Sequence, residues 1–273
     1  LEFRRVLFRS PFVVENRAGA TGMIGAELVA KAPPDGHALY VASQTTHAVA
    51  PHMYAKPLYD PIKDFAPISL MGHNPLLIVV HPSVNVRTVK DLIALARAQP
   101  GAVNFATGGI GSSPHMSMEL LKSMAKLDMV PVHYKGDGAA VIDVIGGQIP
   151  VMCANTASLL AHAKQGKLRG IAVTGAKRAA VAPEYPTVAE SGLSGYEVTT
   201  WFGLLTTASV PADVITKLYN EVTQALAQPA VKEQFTKLSV ETVGSAPDNY
   251  AAFLRAENVK WGEMVRRLKL KAE

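Results

Sequence analysis

The sequence predicts an α/β fold in which helices cover a mostly parallel sheet, and it predicts that this fold is divided into two lobes. From Pro11 onward, short apolar, β-rich runs alternate with amphipathic helical stretches, and Gly/Ser/Thr/Asn loops separate them. Such alternation is typical of a parallel sheet with helices on both faces. The two lobes follow from size, because 273 residues with 48% apolar content can bury two cores of ordinary domain size.

The apolar runs that we interpret as strands are short and are bounded by turn residues. Between them, residues 86–98 place Val89, Leu92 and Ala96 on one face of a predicted helix. After Trp201 the pattern becomes helical, with two amphipathic segments that open at Pro211 and Pro247. The predicted strands are residues 38–42, 76–80, 103–107, 130–134, 149–154 and 170–174.

The terminal helices are expected to pack on the first lobe, which makes that lobe discontinuous. We predict a first domain of residues 1–102 plus 206–273 and a second domain of residues 103–205. The chain would then cross between the lobes near residues 101–104 and 202–205. In sheets of this type, ligands bind at the carboxyl ends of the strands, so the loops after the strands are the candidate sites.

Composition argues against several classes of function. The formal charge is +5, but the Lys and Arg residues do not cluster, so we expect no nucleic-acid partner. The single cysteine, Cys153, lies in an apolar run and is interpreted as an inert buried thiol. No histidine pair has metal-ligand spacing, so neither a metal nor a cofactor is expected. The longest aliphatic stretch, residues 76–80, is too short for membrane insertion.

The first ten residues, LEFRRVLFRS, do not resemble the start of a mature domain or a signal peptide. They lack an initiator Met, an apolar core of signal-peptide length and a small-residue cleavage pattern. We interpret them as a foreign or damaged end and exclude them from the fold prediction.

A glycine-rich loop follows the predicted strand 103–107 and is the most informative candidate site. Its predicted ligand-binding residues are Thr107, Gly108, Gly109, Gly111, Ser112 and Ser113. With Ser113 as N-cap and Pro114 as first helical residue, free backbone amides at the helix start would form an anion site. The first helical turn has no acid, and Glu119 is the nearest one. The alternative is that the glycines only permit a tight turn. The loop fits neither the dinucleotide fingerprint nor the Gly-x-Ser-x-Gly nucleophile elbow.

Loops after other predicted strands carry further candidates. Neutral side chains that can bind a polar ligand follow strand 38–42, although one of them could instead cap a helix while the others face water. Loops after strands 130–134 and 149–154 could contribute to the same cleft or could be capped turns. Trp201 could form a cleft wall or belong to the core. The candidates are Ser43, Gln44, Thr45, Thr46 and His47, then Tyr134, Gly136 and Asn155, and Trp201.

Several segments, in this order and spacing, resemble the substrate-binding proteins of tripartite tricarboxylate transporters, also called the Bug family of periplasmic receptors. The resemblance extends from Val13 to the carboxyl end. The segments that carry it are VVENRAGATGMIGAELVAKAPPDGHAL (13–39), LYDPIKDFAPIS (58–69), ATGGIGSSPHM (106–116), VHYKGDGAAVIDVIGGQIPVM (132–152), GKLRGIAVTGAKR (166–178), YPTVAESG (185–192) and WFGLL (201–205).

The resemblance implies a two-lobed periplasmic-binding-protein (Venus-flytrap) fold without catalytic activity. It implies a monomeric periplasmic receptor that captures a small carboxylate, such as a di- or tricarboxylate or an aromatic acid, for inner-membrane transporter subunits. It places the ligand-binding positions at residues 43–47 and 107–113 and at Tyr134, Gly136 and Asn155, and it implies that Asp143 orients the Tyr134 loop. It also implies that a signal peptide, a first strand with a Gly-rich loop and a first helix are missing, which would leave the carboxylate site incomplete.

Two other functions remain open at this stage. A ligand-loaded sensor that docks on a membrane kinase would use the same binding residues. A serine hydrolase would use Ser112 or Ser113 with His115, although side chains so placed at one helix start point in different directions.

Overall fold

A computed structural model describes residues 12–272, so the unusual segment at residues 1–10 lies outside the described residues. The chain forms two compact units. Unit 1 comprises the described residues up to His73, Trp201–Phe235 and the described residues from Glu241 onward. Unit 2 comprises Asn74–Thr200 and the short segment Thr236–Val240.

The order of elements along the chain is an alternation of strands and helices followed by a largely helical end. A π-helix, Gln44–Val49, directly follows the first strand. In chain order the strands are β1 Leu39–Ser43, β2 Phe65–Val80, β3 Asn104–Thr107, β4 Val130–His133, β5 Val151–Asn155, β6 Arg169–Val173, β7 Thr199–Thr207 and β8 Glu241–Thr242. The helices are α1 Met23–Ala30, α2 Ala50–Met53, α3 Val89–Ala98, α4 Ser113–Ala125, α5 Asp137–Ile145, α6 Thr156–Lys164, α7 Ala212–Ala227, α8 Pro229–Lys237 and α9 Pro247–Leu268.

Unit 1 is built on antiparallel pairing and is covered by the terminal helices. Strand β1 pairs with β7, and β8 pairs with the first part of β2. Helix α7 buries Leu218, Val222 and Leu226, which are four residues apart and therefore form one stripe. This stripe packs in a core cluster with Ile68 and Leu204. The amphipathic pattern after Pro211 thus predicted the packing of this helix.

Unit 2 contains the parallel part of the sheet. Strand β3 lies between β4 and β5 and pairs in parallel with both. The second part of β2 pairs antiparallel with β5 and with β6. Residues 76–80 of β2 are completely buried, which explains why they read as a continuous apolar run rather than as an alternating one. The carboxyl ends of β3, β4 and β5 therefore point to the same edge of this unit.

Three sequence predictions require correction. The sheet is mixed rather than mostly parallel, because β2 pairs antiparallel with strands distant in sequence, where no helical crossover sets the direction. Strand β7 covers residues 202–205, where we predicted a crossover followed by helix and no strand, because the short apolar run WFGLL has no alternation that marks a strand. The predicted crossover near residues 101–104 lies within unit 2; the division falls inside the long strand β2, between His73 and Asn74.

Two predictions from composition can be compared with the described residues. Cys153 is completely buried, and burial raises the pKa of its thiol to about 12. No helix in the described part of the chain combines the length and apolarity needed to cross a bilayer.

We predict that Gly203→Ala destabilises the protein through a clash inside unit 1. A Cβ at Gly203 in β7 would overlap the phenol group of Tyr250, which is itself completely buried and cannot easily move. Overpacking of this kind costs about 1–3 kcal/mol. Urea unfolding measures the loss.

The matched control for this prediction is Gly138→Ala in α5, where a Cβ would have no neighbour within 4 Å. Alanine favours a helix over glycine, so this variant should be neutral or slightly more stable. Equal stability of the two variants would contradict the proposed clash.

Candidate functional site

The loop between β3 and α4 is held in one shape by its own hydrogen bonds. The hydroxyl of Ser112 donates to the carbonyl of Gly109 at 2.8 Å and accepts from the backbone N–H of His115 at 3.3 Å. Ser112 is therefore the N-cap of α4, one residue earlier than we predicted, because its extended backbone, not that of Ser113, precedes the helix. Gly109 and Gly111 have φ of 145° and 72°, a region that glycine adopts without strain.

Some amides of this loop are used internally and others are not. The N–H of Gly111 donates to Nδ1 of His115 at 3.1 Å, and that of Ser112 donates to the carbonyl of Gly109 at 3.3 Å. Within residues 12–272, the N–H groups of Gly108, Ile110 and Ser113 have no hydrogen-bond acceptor. The predicted anion site thus retains free donors, but the amide of Gly111 is not one of them.

His115 is a buried, neutral residue beneath the loop. Its side chain is 1% exposed, and burial, together with the nearby His133 and Lys122, lowers its pKa to about 3. Only a neutral imidazole can accept the Gly111 N–H at Nδ1, which places the ring proton on Nε2. Nε2 lies 3.9 Å from a carboxylate oxygen of Glu119. Since Glu119 also pairs with Lys122 at 2.6 Å, its charge is neutralised below the loop.

The β4 loop is fixed to the β3 loop by backbone hydrogen bonds. The N–H of Tyr134 donates to the carbonyl of Thr107 at 2.9 Å, and that of Gly136 donates to Gly108 at 3.0 Å. The hydroxyl of Tyr134 donates to Asp143 at 2.7 Å, so Asp143 orients this loop as the family resemblance implied. Unit 2 therefore brings the predicted residues of β3 and β4 together.

Asn155, predicted at the end of β5, belongs to a row of polar side chains in unit 2. Its side-chain oxygen accepts from Nδ2 of Asn74 at 3.2 Å, and its own Nδ2 faces the carboxylate of Asp137 at 3.5 Å. A Cβ placed on Gly108 would overlap a carboxylate oxygen of Asp137. Asp137 follows the predicted strand 130–134, but it was not among the predicted ligand-binding residues. Nothing in the sequence spacing indicates that Asp137 contacts Gly108.

The predicted residues after β1 have different roles from one another. Ser43 and Thr46 form a reciprocal cap, in which each side chain accepts the other's backbone N–H. His47 is completely buried and bonds the carbonyl of Pro61 at 2.6 Å. Burial lowers the pKa of His47 to about 4. The capping alternative was therefore correct for two of the residues, while His47 is part of the core and does not face water.

Gln44 differs from the other residues after β1. It is completely buried at the start of the π-helix, and neither polar atom of its side chain has a protein partner among the described residues. A buried amide without partners costs free energy, which is a feature of functional sites more than of structural ones. Short π-helices are also frequent at functional sites. Thr45, its neighbour, is partly buried.

Trp201 is part of the core of unit 1. Its side chain is completely buried in unit 1, its indole N–H donates to Glu257 at 2.7 Å, and its ring packs edge-on against Phe253. These contacts satisfy both the polar and the apolar part of the side chain. The burial agrees with the core interpretation, so the binding set proposed below does not include Trp201.

The geometry disfavours the hydrolase alternative. Ser112 Oγ is bonded to backbone groups, and the imidazole of His115 is bonded to the Gly111 amide, so the two side chains do not form a nucleophile–base pair. A histidine with a pKa of about 3 is also a poor general base near neutral pH. Across residues 12–272, the structure contains no group of three or more metal-ligating side chains arranged to hold an ion.

A depression of about 350 Å³ on unit 2 lies elsewhere, along α3 and residues 191–193. Its lining includes Lys90, Arg97 and Met124 but none of the predicted ligand-binding residues.

A known receptor family matches almost all of this chain. The model of the tripartite tricarboxylate transporter family receptor matches residues 4–270. The chain belongs to this receptor family. A relative from Pseudomonas sp. strain P51, described as a UPF0065 protein, is 35% identical, with 95% of this chain and 77% of the relative covered. Protein BugT of Bordetella pertussis is 34% identical, with 94% and 79% covered.

Solved structures confirm the two-lobed periplasmic-binding-protein fold of this receptor. Periplasmic binding protein BugD is 29% identical, has a TM-score of 0.83 and is covered over 91% of its length by 100% of this chain. Rpa4515 of R. palustris, solved with adipate, is 30% identical at a TM-score of 0.83, with 95% and 87% covered. MatC of Rhodopseudomonas palustris, solved with malate, is 30% identical at 0.80, with 94% and 88% covered. The matching family is described as a receptor family, and BugD is described as a periplasmic binding protein.

We predict that His115→Asn makes the receptor's stability less sensitive to acid. Since the folded-state pKa of His115 lies below its unfolded value of about 6.5, the stability due to neutral His115 is complete above pH 6.5 and is lost as pH falls towards 3. Between pH 6.5 and 5.5 the variant should lose about 1 kcal/mol less than the wild type. Urea unfolding in a sulfonate buffer measures this difference, since acetate and citrate are potential ligands.

The control is Ser112→Ala, which removes the N-cap and not a titratable group. This variant should lower the free energy of unfolding by about 1 kcal/mol at both pH values. If wild type and His115→Asn lost equal stability on acidification, the buried neutral imidazole would be refuted.

Proposed function

We propose that this receptor captures a small carboxylate in the periplasm and delivers it to the inner-membrane subunits of a tripartite tricarboxylate transporter. The observation that carries the proposal is the set of acceptor-free N–H groups of Gly108, Ile110 and Ser113 in unit 2. Backbone amides at a helix start attract an anion because the helix dipole and the oriented N–H groups act in the same direction. The adipate and malate bound by two relatives belong to this chemical class.

The loop is suited to hold a carboxylate without further rearrangement. Its hydrogen bonds from Ser112 and His115 already fix the backbone, so little conformational entropy is lost when a ligand binds. The first turn of α4 contains no acid that would compete for the donors. Glu119, in the second turn, is paired with Lys122. A ligand carboxylate would therefore meet free donors and no unpaired acid from the first two turns of α4.

The proposed binding set follows from these roles. In unit 2, direct contacts are assigned to Gly108, Ile110, Ser113 and Asn155, while other residues shape the loops. In unit 1, taken by itself, Gln44 is a separate candidate for a polar contact because its amide has no partner among the described residues, and Thr45 lies beside it. The shaping residues are Ser43, Thr46, His47, Thr107, Gly109, Gly111, Ser112, Tyr134, Gly136 and Asp143.

Binding without chemical conversion can be measured by a thermal-shift screen of mono-, di- and tricarboxylates. At a hundredfold excess over its dissociation constant, a ligand adds about 2.7 kcal/mol of stability. For a protein of this size the melting temperature should rise on the order of 5 to 10 °C. Nuclear magnetic resonance of the recovered ligand should show it unchanged. No shift with any carboxylate, or conversion of the ligand, would refute the proposal.

Ser113→Pro tests whether a loop amide holds the ligand. Proline lacks the N–H but is favoured at the first turn of a helix, and Ser112 already has the extended backbone that proline requires before it. Loss of one charge-assisted hydrogen bond should weaken binding of the best carboxylate roughly 10- to 100-fold in calorimetry.

Ser113→Ala is the matched control, because it retains the backbone N–H and removes only the hydroxyl. Its affinity should stay near that of the wild type. If Ser113→Pro folded normally and bound as tightly as Ser113→Ala, the anion site would have to lie elsewhere.

A further inference from the structure

Asp137 places a carboxylate directly beside the proposed anion-binding loop. It is the first residue of α5 and is partly buried. A Cβ on Gly108 would overlap Oδ1 of Asp137 and would lie 3.4 Å from its carboxyl carbon. Since a Cβ is about 1.5 Å from its Cα, the carboxyl carbon lies within about 5 Å of the Gly108 Cα. The acceptor-free amide of Gly108 and this acid therefore share one small region of unit 2.

The carboxylate has no cation to neutralise it. Among residues 12–272, no Lys, Arg or His nitrogen lies within the 4.0 Å of an ion pair with Asp137. Its described side-chain donor is Nδ2 of Asn155, at 3.5 Å. A partly buried acid whose hydrogen-bond donors belong to one neutral residue, Asn155, keeps lone pairs free to accept from a further donor.

The orientation of Asn155 is fixed by the next residue in the row. Nδ2 of Asn74 donates to the oxygen of Asn155, so the Asn155 amide must direct its nitrogen towards Asp137. Asn74 is 3% exposed, and its own oxygen accepts no described hydrogen bond. The row thus presents two acceptors with capacity to spare, Asp137 and the buried oxygen of Asn74.

The free N–H donors of the loop and the carboxylate of Asp137 favour different groups of a ligand. The loop amides suit a carboxylate, whereas Asp137 suits a positively charged donor and repels a second negative group. Burial raises the pKa of the Asp137 carboxyl, and the amides of Asn155 oppose this rise. A cationic donor would relieve the cost of keeping this group charged in a partly buried place.

We propose that Asp137 selects ligands that carry an ammonium group beside the carboxylate, so that this receptor prefers amino-carboxylates to plain carboxylic acids. This inference rests on the proposed function, because it assumes that the ligand carboxylate binds the loop of Gly108, Ile110 and Ser113. Asp137 is then a specificity-determining residue, while the loop supplies the affinity common to all carboxylates.

The test compares acids that differ only in the amino group. Calorimetry is performed at pH 7 with the pairs L-glutamate and glutarate, L-aspartate and succinate, and L-norleucine and hexanoate. We expect at least one amino-carboxylate to bind roughly tenfold or more tightly than its partner in the wild type. The Asp137→Asn variant should bind the plain acids as tightly as, or more tightly than, the matching amino-carboxylates.

Two further variants keep the comparison interpretable. Asp137→Ser replaces the acid with a smaller polar group and should lose the same preference, so the result does not depend on one variant folding. Asp128→Asn makes the same change of charge at an exposed position of unit 2 and should keep the wild-type ratio.

The results of this comparison distinguish the role of Asp137 from the proposed carboxylate receptor. Plain acids binding as well as, or better than, their amino partners in the wild type would overturn the role of Asp137 and leave the proposed carboxylate receptor intact. An unchanged ratio in Asp137→Asn and Asp137→Ser would do the same. If none of the six compounds nor any carboxylate of the thermal-shift screen bound, both proposals would fall.

Discussion

The hydrogen bond from the Gly111 N–H to the imidazole of His115 is the interaction on which the candidate site depends. It requires that His115 be neutral, and burial supplies that condition by lowering the pKa to about 3. The bond occupies one amide of the loop and holds the backbone so that the amides of Gly108, Ile110 and Ser113 are left without acceptors. One backbone N–H of the loop is thus used internally, while three others can still donate to a ligand. A histidine that a motif search would assign to catalysis serves here as a fixed acceptor.

The two loops next to this one depend on the same arrangement. Backbone bonds from Tyr134 and Gly136 join the β4 loop to Thr107 and Gly108, so a displaced β3 loop would displace both. Asp143 fixes the ring of Tyr134, and Asn74 fixes the amide of Asn155. Specificity for one ligand over another can then come from a single side chain such as Asp137, because its surroundings cannot shift to compensate. The family resemblance explains the loops, while the proposed preference arises from a residue of this chain.

The sequence predicted the fold class and most strands, because buried strands and amphipathic helices leave a local pattern. It placed β3, β4 and β5 and the loops after them within one or two residues. It missed β7, where residues 201–205 show no alternation, and it could not show the length of β2, since residues 65–75 mix polar and apolar side chains. It predicted a mostly parallel sheet and did not predict the antiparallel pairing of β2, because strand direction between distant segments depends on tertiary packing that no local pattern records.

At the level of the site, the sequence identified the loops that follow the strands but not the contacts that their residues make. The cap at Ser112, the use of the Gly111 amide by His115 and the burial of Trp201 all depend on contacts between residues whose partners cannot be read from spacing alone. Asp137 escaped notice for the same reason, since its meeting with Gly108 joins positions 29 residues apart in the printed sequence. Polar residues at strand ends are visible in a sequence, whereas unpaired donors and acceptors become visible only in three dimensions.

The burial of Cys153 has a practical consequence for observing this receptor at work. It is the single cysteine of the chain, and it is buried and protonated. Maleimide reagents should therefore not react with it. A cysteine introduced at an exposed position such as Ile142 would be the one reactive handle, without any need to remove the native sulfur. Fluorescent or spin labels could therefore follow ligand capture in an otherwise unaltered protein.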